Sequence, residues 1–382
     1  MITRILQKKI EEACFKGKII LLLGARQVGK TTLLKKVAES LQVKTVWLNA
    51  DEADIFNELS LAGTSTRLLH LIGNDTRLVI IDEAQQVPDI GLKLKLLHDT
   101  NPELQIIATG SSAFDLMNRT QEPLTGRKRT FYLFPVSYNE LINHTNILEA
   151  RRALESRLIY GSYPEIVNNP GHEKEILVEI AQSYLYKDIL KLEGIRKPGK
   201  LQKLLQALAF QTGSEVSYNE LSKTIGNIDN NTVEKYIDLL EKTHVIYKLP
   251  ALSRNMRNEI KKGKKYYFVD NGIRNVLISN FSPFEFRLDK GALWENFLLS
   301  ERMKHNHYTA EFPNSYFWRT HDQAEIDYIE ELDGVFHAYE IKWNETKNKF
   351  PASFLEAYPR HQTRVVNKDN FESFTGAGTG DF

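Results

Sequence analysis

Residues 18–41 read KIILLLGARQVGKTTLLKKVAESL, and their order decides the fold. The apolar run Ile19–Leu23 is short enough for a buried strand. Leu33, Leu34, Val37 and Leu41 then recur at helical spacing. Between them, Gly24 to Thr31 fits the pattern G-x-x-x-x-G-K-[ST]. Glycines let the backbone curl, so that its N–H groups face one point at a helix N-terminus and attract phosphate oxygens. On this reading Gly24, Ala25, Arg26, Gln27, Val28, Gly29, Lys30, Thr31 and Thr32 wrap a nucleotide's phosphates. Lys30 reaches the β- and γ-phosphates, and the Thr31 hydroxyl ligates magnesium. The expected ligands are ATP and Mg²⁺.

Working outward, RLVIIDEAQQV (77–87) is an apolar strand ending in Asp82 and Glu83. An acid at that strand end holds magnesium through water (Asp82), and the next polarises the attacking water (Glu83). VKTVWLNADE (43–52) is a strand between the loop and this one. ELQIIATGSSAFDL (103–116) is a fourth, ending in Thr109 and Ser111. Thr109 is expected beside the γ-phosphate, whereas Ser111 or Ser112 can equally cap a helix. TFYLFPV (130–136) is a fifth strand, followed by SYNE, a capping box of Ser137 and Glu140. Arg127 and Arg129 lie just before that strand. Arg127 is the candidate arginine finger toward a neighbouring subunit, with Arg129 and Arg119 as rivals and a solvated basic loop as the plainer alternative.

The order of phosphate loop, acidic strand end, polar-ended strand and arginine resembles an AAA+ ATPase. GARQVGKTTLL, IDEAQ, TGSS and GR followed by FPVSYNEL more specifically resemble bacterial and archaeal AAA+-type ATPases that share a conserved C-terminal region. GSYPEIV (161–167) and YLYKDIL (184–190) extend that likeness over nearly the whole chain. The resemblance implies ATP binding and hydrolysis, and an oligomeric habit. It does not imply a substrate.

Composition sets the bounds. With 382 residues, several domains are expected, and 42% apolar with 26% charged residues is ordinary for a soluble globular protein. A net charge of +1 leaves any nucleic-acid binding to local patches. The single Cys14 excludes an internal disulfide and suits a cytoplasmic protein. No apolar run approaches the roughly 20 residues a membrane helix needs.

Residues 141–200 carry helical periodicity broken at GSYPE, NNPGHE and GIRKPGK, as a helical lid would. From Leu204, a helix, the short SYNELSKTIG helix and the longer NTVEKYIDLLEKTHVI helix precede two strands, VIYKLPAL and KKYYFVD. This is the layout of a winged helix-turn-helix. The segment between the strands holds six Lys or Arg among residues 254–265 and can track phosphates. Asp229, Glu234, Asp238 and Glu241 on the longer helix argue the other way, toward a protein-interaction module.

Near the end, EIDYIEELDGVFHAYEIK (325–342) reads as a β-hairpin around an LDG turn. Counting from the turn places Asp327 opposite Glu340, with Lys342 on the same face. Facing carboxylates repel. A helical Glu295, the strand Asp327 and the Glu340-x-Lys342 pair resemble the core of the PD-(D/E)XK nuclease superfamily. That resemblance implies a divalent metal on Glu295, Asp327 and Glu340, with Lys342 acting on the attacking water. The plainer reading is a hairpin whose acids pair with Lys342 and Arg319.

The expected architecture is thus α/β. It comprises an AAA+ ATPase domain with a parallel sheet (1–145), a helical lid (146–203), a winged helix (204–275) and a small nuclease-like domain (276–382). Nucleic acid, DNA first, is the expected partner, with no membrane involvement and a possible homo-oligomer. The alternative is an ATP-driven switch whose C-terminal region is a catalytically inactive protein-interaction platform.

Overall fold

The computed structural model describes residues 2–111, 116–117, 119–120, 122–183, 198–253, 263–320, 322–344 and 349–377. The YLYKDIL stretch and most of the basic segment (254–262) lie outside them. The chain divides into two compact units, Met1–Val136 with Lys242–His244, and Ser137–Glu241 with Val245–Phe382.

The first unit runs α1 (Leu6–Ala13), β1 (Ile19–Leu23), α2 (Lys30–Leu41), β2 (Thr45–Asn49), α3 (Ala53–Leu61), α4 (Ser65–Ile72), β3 (Leu78–Asp82), α5 (Ile90–Thr100), β4 (Gln105–Gly110) and β5 (Lys128–Tyr132). Its sheet has the order β2-β3-β4-β1-β5, and every neighbouring pair is parallel. Helices cover both faces of such a sheet, so its central strands read as unbroken apolar runs. All residues of β1, β3 and β4 are buried. Ile19, Leu21, Leu23, Val79, Ile81, Ile106 and Ala108 share a core with Leu59 of α3, Leu68 and Ile72 of α4, and Ile90, Leu94 and Leu97 of α5. β5 begins at Lys128, two residues earlier than its apolar pattern suggests, because Lys128 and Arg129 pair with Ile19 and Ile20. Arg129 therefore sits on the strand, its guanidinium 5.2 Å from the Phe131 ring centre.

The second unit opens with α6 (Tyr138–His144). Its capping box is complete: Ser137 accepts from the Glu140 N–H, and the Ser137 N–H donates to Glu140. Four short helices follow, α7 (Ile147–Arg152), α8 (Leu154–Tyr160), α9 (Pro164–Asn168) and α10 (Glu173–Ala181). Next come α11 (Pro198–Phe210), β6 (Glu215–Val216), α12 (Tyr218–Thr224), α13 (Asn230–Lys242), β7 (Ile246–Pro250) and β8 (Lys264–Phe268). The three strands form an antiparallel sheet in the order β6-β8-β7.

After α14 (Asn271–Leu277), the long α15 (Lys290–Thr309) packs on a four-stranded mixed sheet. That sheet comprises β9 (Asn314–Arg319), β10 (Glu325–Leu332), β11 (Val335–Ile341) and β12 (His361–Val366), in the order β12-β11-β10-β9. β11 and β12 are parallel, and the other pairs antiparallel. The β10–β11 hairpin closes at Leu332↔Val335, and both turn residues, Asp333 and Gly334, have positive φ. This is the two-residue geometry that matches strand twist. The Tyr328↔Tyr339 pair puts Asp327 and Glu340 in the flanking positions, as the count from the turn requires. A bridge between Ala251 and Phe317 joins the end of β7 to β9.

Candidate functional site

The loop between β1 and α2 has the shape its glycines allow. Gly24 has φ +156°, and a Cβ there would lie 2.2 Å from the Leu133 carbonyl oxygen, so no larger residue fits. Gly29, with φ +94°, turns the chain into α2. Lys30 is buried, and its Nζ donates to the Gly24 and Ala25 carbonyl oxygens, each at 2.9 Å. Thr31 Oγ1 donates to Asp82 Oδ2 at 2.7 Å, and Thr109 Oγ1 donates to Asp82 Oδ1. Three chain segments thereby meet on one carboxylate. The hydroxyl and carboxylate oxygens of Thr31 and Asp82 are the hard donors magnesium prefers, at a spacing one ion can bridge.

Glu83 follows Asp82 with φ 51° and ψ 38°, a left-handed conformation that is uncommon outside glycine. Such an outlier at a strand end next to a phosphate loop marks a functional position. Its Oε2 accepts from Ser111 Oγ at 2.7 Å and from Gln85 Nε2 at 2.5 Å. Burial works against the charged form of Glu83. The Lys30 charge, the Ser111 and Gln85 hydrogen bonds and Arg26 outweigh it and hold the carboxyl below its usual range. Asp51 is a third acid here: burial and its neighbour Glu83 raise its pKa, against Arg26.

The structure brings together Lys30, Thr31, Asp82, Glu83, Thr109 and Ser111. It does not bring Arg127 to them. The Ile19 N–H donates to the Arg127 carbonyl, which places Arg127 at the far end of β1 from Gly24. Its Nε and Nη2 donate to the two carboxylate oxygens of Asp99, at 2.9 and 3.3 Å. Arg119 donates to the Val87 carbonyl at 3.3 Å.

In the second unit, Lys342 Nζ lies 3.3 Å from Asp327 Oδ2 and 3.2 Å from Glu340 Oε2, and Asp327 Oδ2 also accepts from the Ile341 N–H at 2.8 Å. Burial opposes the charge on Lys342, but Asp327 and Glu340 raise its pKa well above the usual lysine range. Glu295, on α15, accepts from Tyr267 Oη at 2.5 Å and lies 3.8 Å from Lys265 Nζ. Burial pushes Glu295 up to about 7, opposed by Lys265 and supported by the Asp327 charge. Lys265 also pairs with Glu325 at 2.5 Å, and Arg319 approaches Glu325 at 3.8 Å. The donor chemistry suits a hard divalent ion. The arrangement does not: among the described residues no group of three or more His, Cys, Asp or Glu is placed to hold a metal. Ammonium groups stand between the acids instead.

The parallel sheet and its loop define a P-loop NTPase fold, and the first unit is an ATPase domain of the AAA type. Residues 16–142 match the AAA domain family, residues 151–283 a domain of unknown function (DUF8612), and residues 290–378 another (DUF4143). An uncharacterised protein of Mycobacterium tuberculosis is 27% identical over 346 residues, 88% of this chain and 73% of that protein. One from Methanocaldococcus jannaschii is 22% identical over 368 residues, 91% of this chain and 80% of its own length. Among solved structures, the Walker-type ATPase of Pyrococcus abyssi matches with a TM-score of 0.50 and 17% identity, covering 73% of this chain and 96% of that one. That likeness is one of fold. No helix among the described residues is long and apolar enough to cross a membrane.

Proposed function

We propose that this chain is a magnesium-dependent ATPase whose nucleotide cycle changes the grip of its second unit on a nucleic acid. The observation that carries the ATPase half is the convergence of Thr31 and Thr109 on Asp82, beside Lys30 and Glu83. Magnesium, when bound, neutralises charge on the β- and γ-phosphates. Thr31 and Asp82 would hold it. Lys30 exchanges its bonds to the loop carbonyls for phosphate oxygens. Glu83 takes the proton from the attacking water, and Thr109 couples the γ-phosphate position to Asp82.

The four-part division made from the sequence (1–145, 146–203, 204–275, 276–382) is retained as a working scheme. Residues 204–275 are read as a winged helix, supported by three helices ahead of strands in the order β6-β8-β7. The basic sequence between its last two strands supplies the phosphate contacts. Binding through such contacts should weaken steeply with salt, each phosphate contact adding about 0.9 to the logarithmic slope. Measuring DNA and RNA affinity between 50 and 200 mM salt checks this. A flat response would transfer the role to a protein partner, which the acids of α13 favour.

Cleavage is the part the geometry supports least. Asp327, Glu340 and Lys342 do meet, but the acids are engaged by lysines, so the region reads as a platform that binds without cutting. ATP turnover measured with and without DNA and RNA, scoring strand cleavage in the same tubes, tests both halves.

An arginine supplied between subunits is a further part of this reading. Arg127 is too far along β1 to serve its own loop, so it acts in trans after leaving Asp99. Mixing Arg127→Ala with Lys30→Ala protein should then restore part of the activity that each lacks alone. No recovery in mixtures that demonstrably exchange subunits removes Arg127 from the site.

A further inference from the structure

The acids of the C-terminal sheet are completed by a strand that does not belong to it. In β8, Lys265 and Tyr267 fall on one face by the two-residue period, and both reach Glu295. Lys264 and Tyr266 fall on the other face and meet Tyr218. Lys265 is nearly fully buried, with its side chain 3% exposed, and it spans Glu295 on α15 and Glu325 on β10. Its ammonium also lies 5.1 Å from the Phe317 ring centre. A buried lysine is costly unless compensated, and this one has two carboxylates and an aromatic face.

We propose that the Lys265 ammonium occupies the place a divalent metal would take among Glu295, Asp327 and Glu340, so that the cluster is a permanently neutralised junction between β8 and the C-terminal sheet. Four carboxylates (Glu295, Glu325, Asp327, Glu340) face two ammonium groups (Lys265, Lys342). Removing Lys265 leaves the same oxygen donors with one positive charge fewer, a setting that favours a hard divalent cation. The wild-type chain takes no metal there, and a latent site appears when the lysine is lost. This rests on reading the C-terminal region as a platform that binds without cutting.

The test is Mn²⁺ uptake by the full, nucleotide-free chain, followed by calorimetry and electron paramagnetic resonance. Asp327→Asn serves as the subtraction for ions bound elsewhere. Wild type and Asp327→Asn should take up equal Mn²⁺. Lys265→Met should take up one further equivalent, bound at least tenfold more tightly than anything Asp327 contributes to in wild type, and Lys265→Met/Asp327→Asn should lose it. If Lys265→Met does not fold, Lys265→Gln/Glu325→Gln removes both charges of the pair together and leaves Glu295, Asp327 and Glu340 to bind the ion. An Asp327-dependent equivalent in wild type overturns this inference and revives the cleavage reading with it. A folded Lys265→Met or double variant that gains no equivalent overturns the inference alone, leaving the binding platform to the salt titration.

Discussion

Glu83→Gln is expected to bind ATP with wild-type affinity and to hydrolyse it at least about 100-fold more slowly. The substitution keeps the shape of the side chain and an oxygen to accept from Ser111 and Gln85. It removes the one carboxylate that Lys30, Arg26 and those two hydrogen bonds hold ionised despite burial. The metal-binding pair Thr31 and Asp82 is untouched, so binding and turnover should separate. Lys30→Ala makes the contrast. It withdraws the main positive charge from the β- and γ-phosphates, and tight binding itself should be lost. Equilibrium binding of a fluorescent ATP analogue and steady-state phosphate release, run on both variants, read the two effects separately. Turnover at the wild-type rate in Glu83→Gln would strip Glu83 of its role and make Asp51, the neighbouring carboxylate, the next base to replace.

Asp51 illustrates where the sequence stops being informative. The loop and the acidic strand end are legible because each is one contiguous stretch whose backbone geometry is fixed locally: glycines at positive φ, an apolar strand, an acid at its end. The capping box of Ser137 and Glu140 and the Asp333–Gly334 hairpin are legible for the same reason. Asp51 and Gln85 join the site through space. Gln85 sits on a short 3₁₀ turn after Glu83, and Ser111 arrives from β4, 28 positions away. No spacing rule connects them. Lys265 is a stronger case. Alternation in KKYYF says that Lys265 and Tyr267 share a face, but not that this face meets Glu295. That depends on the packing of β8 against α15. Arg127 fails in the opposite sense. Its position before β5 is legible, yet its partner Asp99, at the end of α5, is a tertiary accident of the parallel sheet.

The largest stability effect is expected at Glu330, also hidden from sequence because it is an acid at a position of β10 that alternation places in the interior. Glu330 and Arg302 are paired at 2.6 and 2.9 Å with side chains 4% and 8% exposed. Glu330 also accepts from Asn306 at 2.7 Å and Tyr328 at 2.9 Å. Burial raises the carboxyl's pKa, but the Arg302 bonds and charge, with Asn306 and Tyr328, bring it below the usual glutamate range. Glu330→Ala leaves a buried guanidinium without its carboxylate and should destabilise the second unit by about 3–5 kcal/mol. Replacing both partners, Glu330→Leu with Arg302→Met, should recover much of that loss, since no charge is then stranded. The sign of the pH effect follows from the lowered pKa. The pair's contribution is fully present above the unfolded glutamate value of about 4.3 and fades as pH falls through the lower folded value. Urea unfolding of wild type and Glu330→Gln between pH 7 and pH 3 should therefore converge on the acid side, because only wild type has this proton to gain. Parallel curves, or a loss below about 1 kcal/mol in Glu330→Ala, would mean that water reaches the pair and that α15 is held to the sheet by its apolar contacts alone.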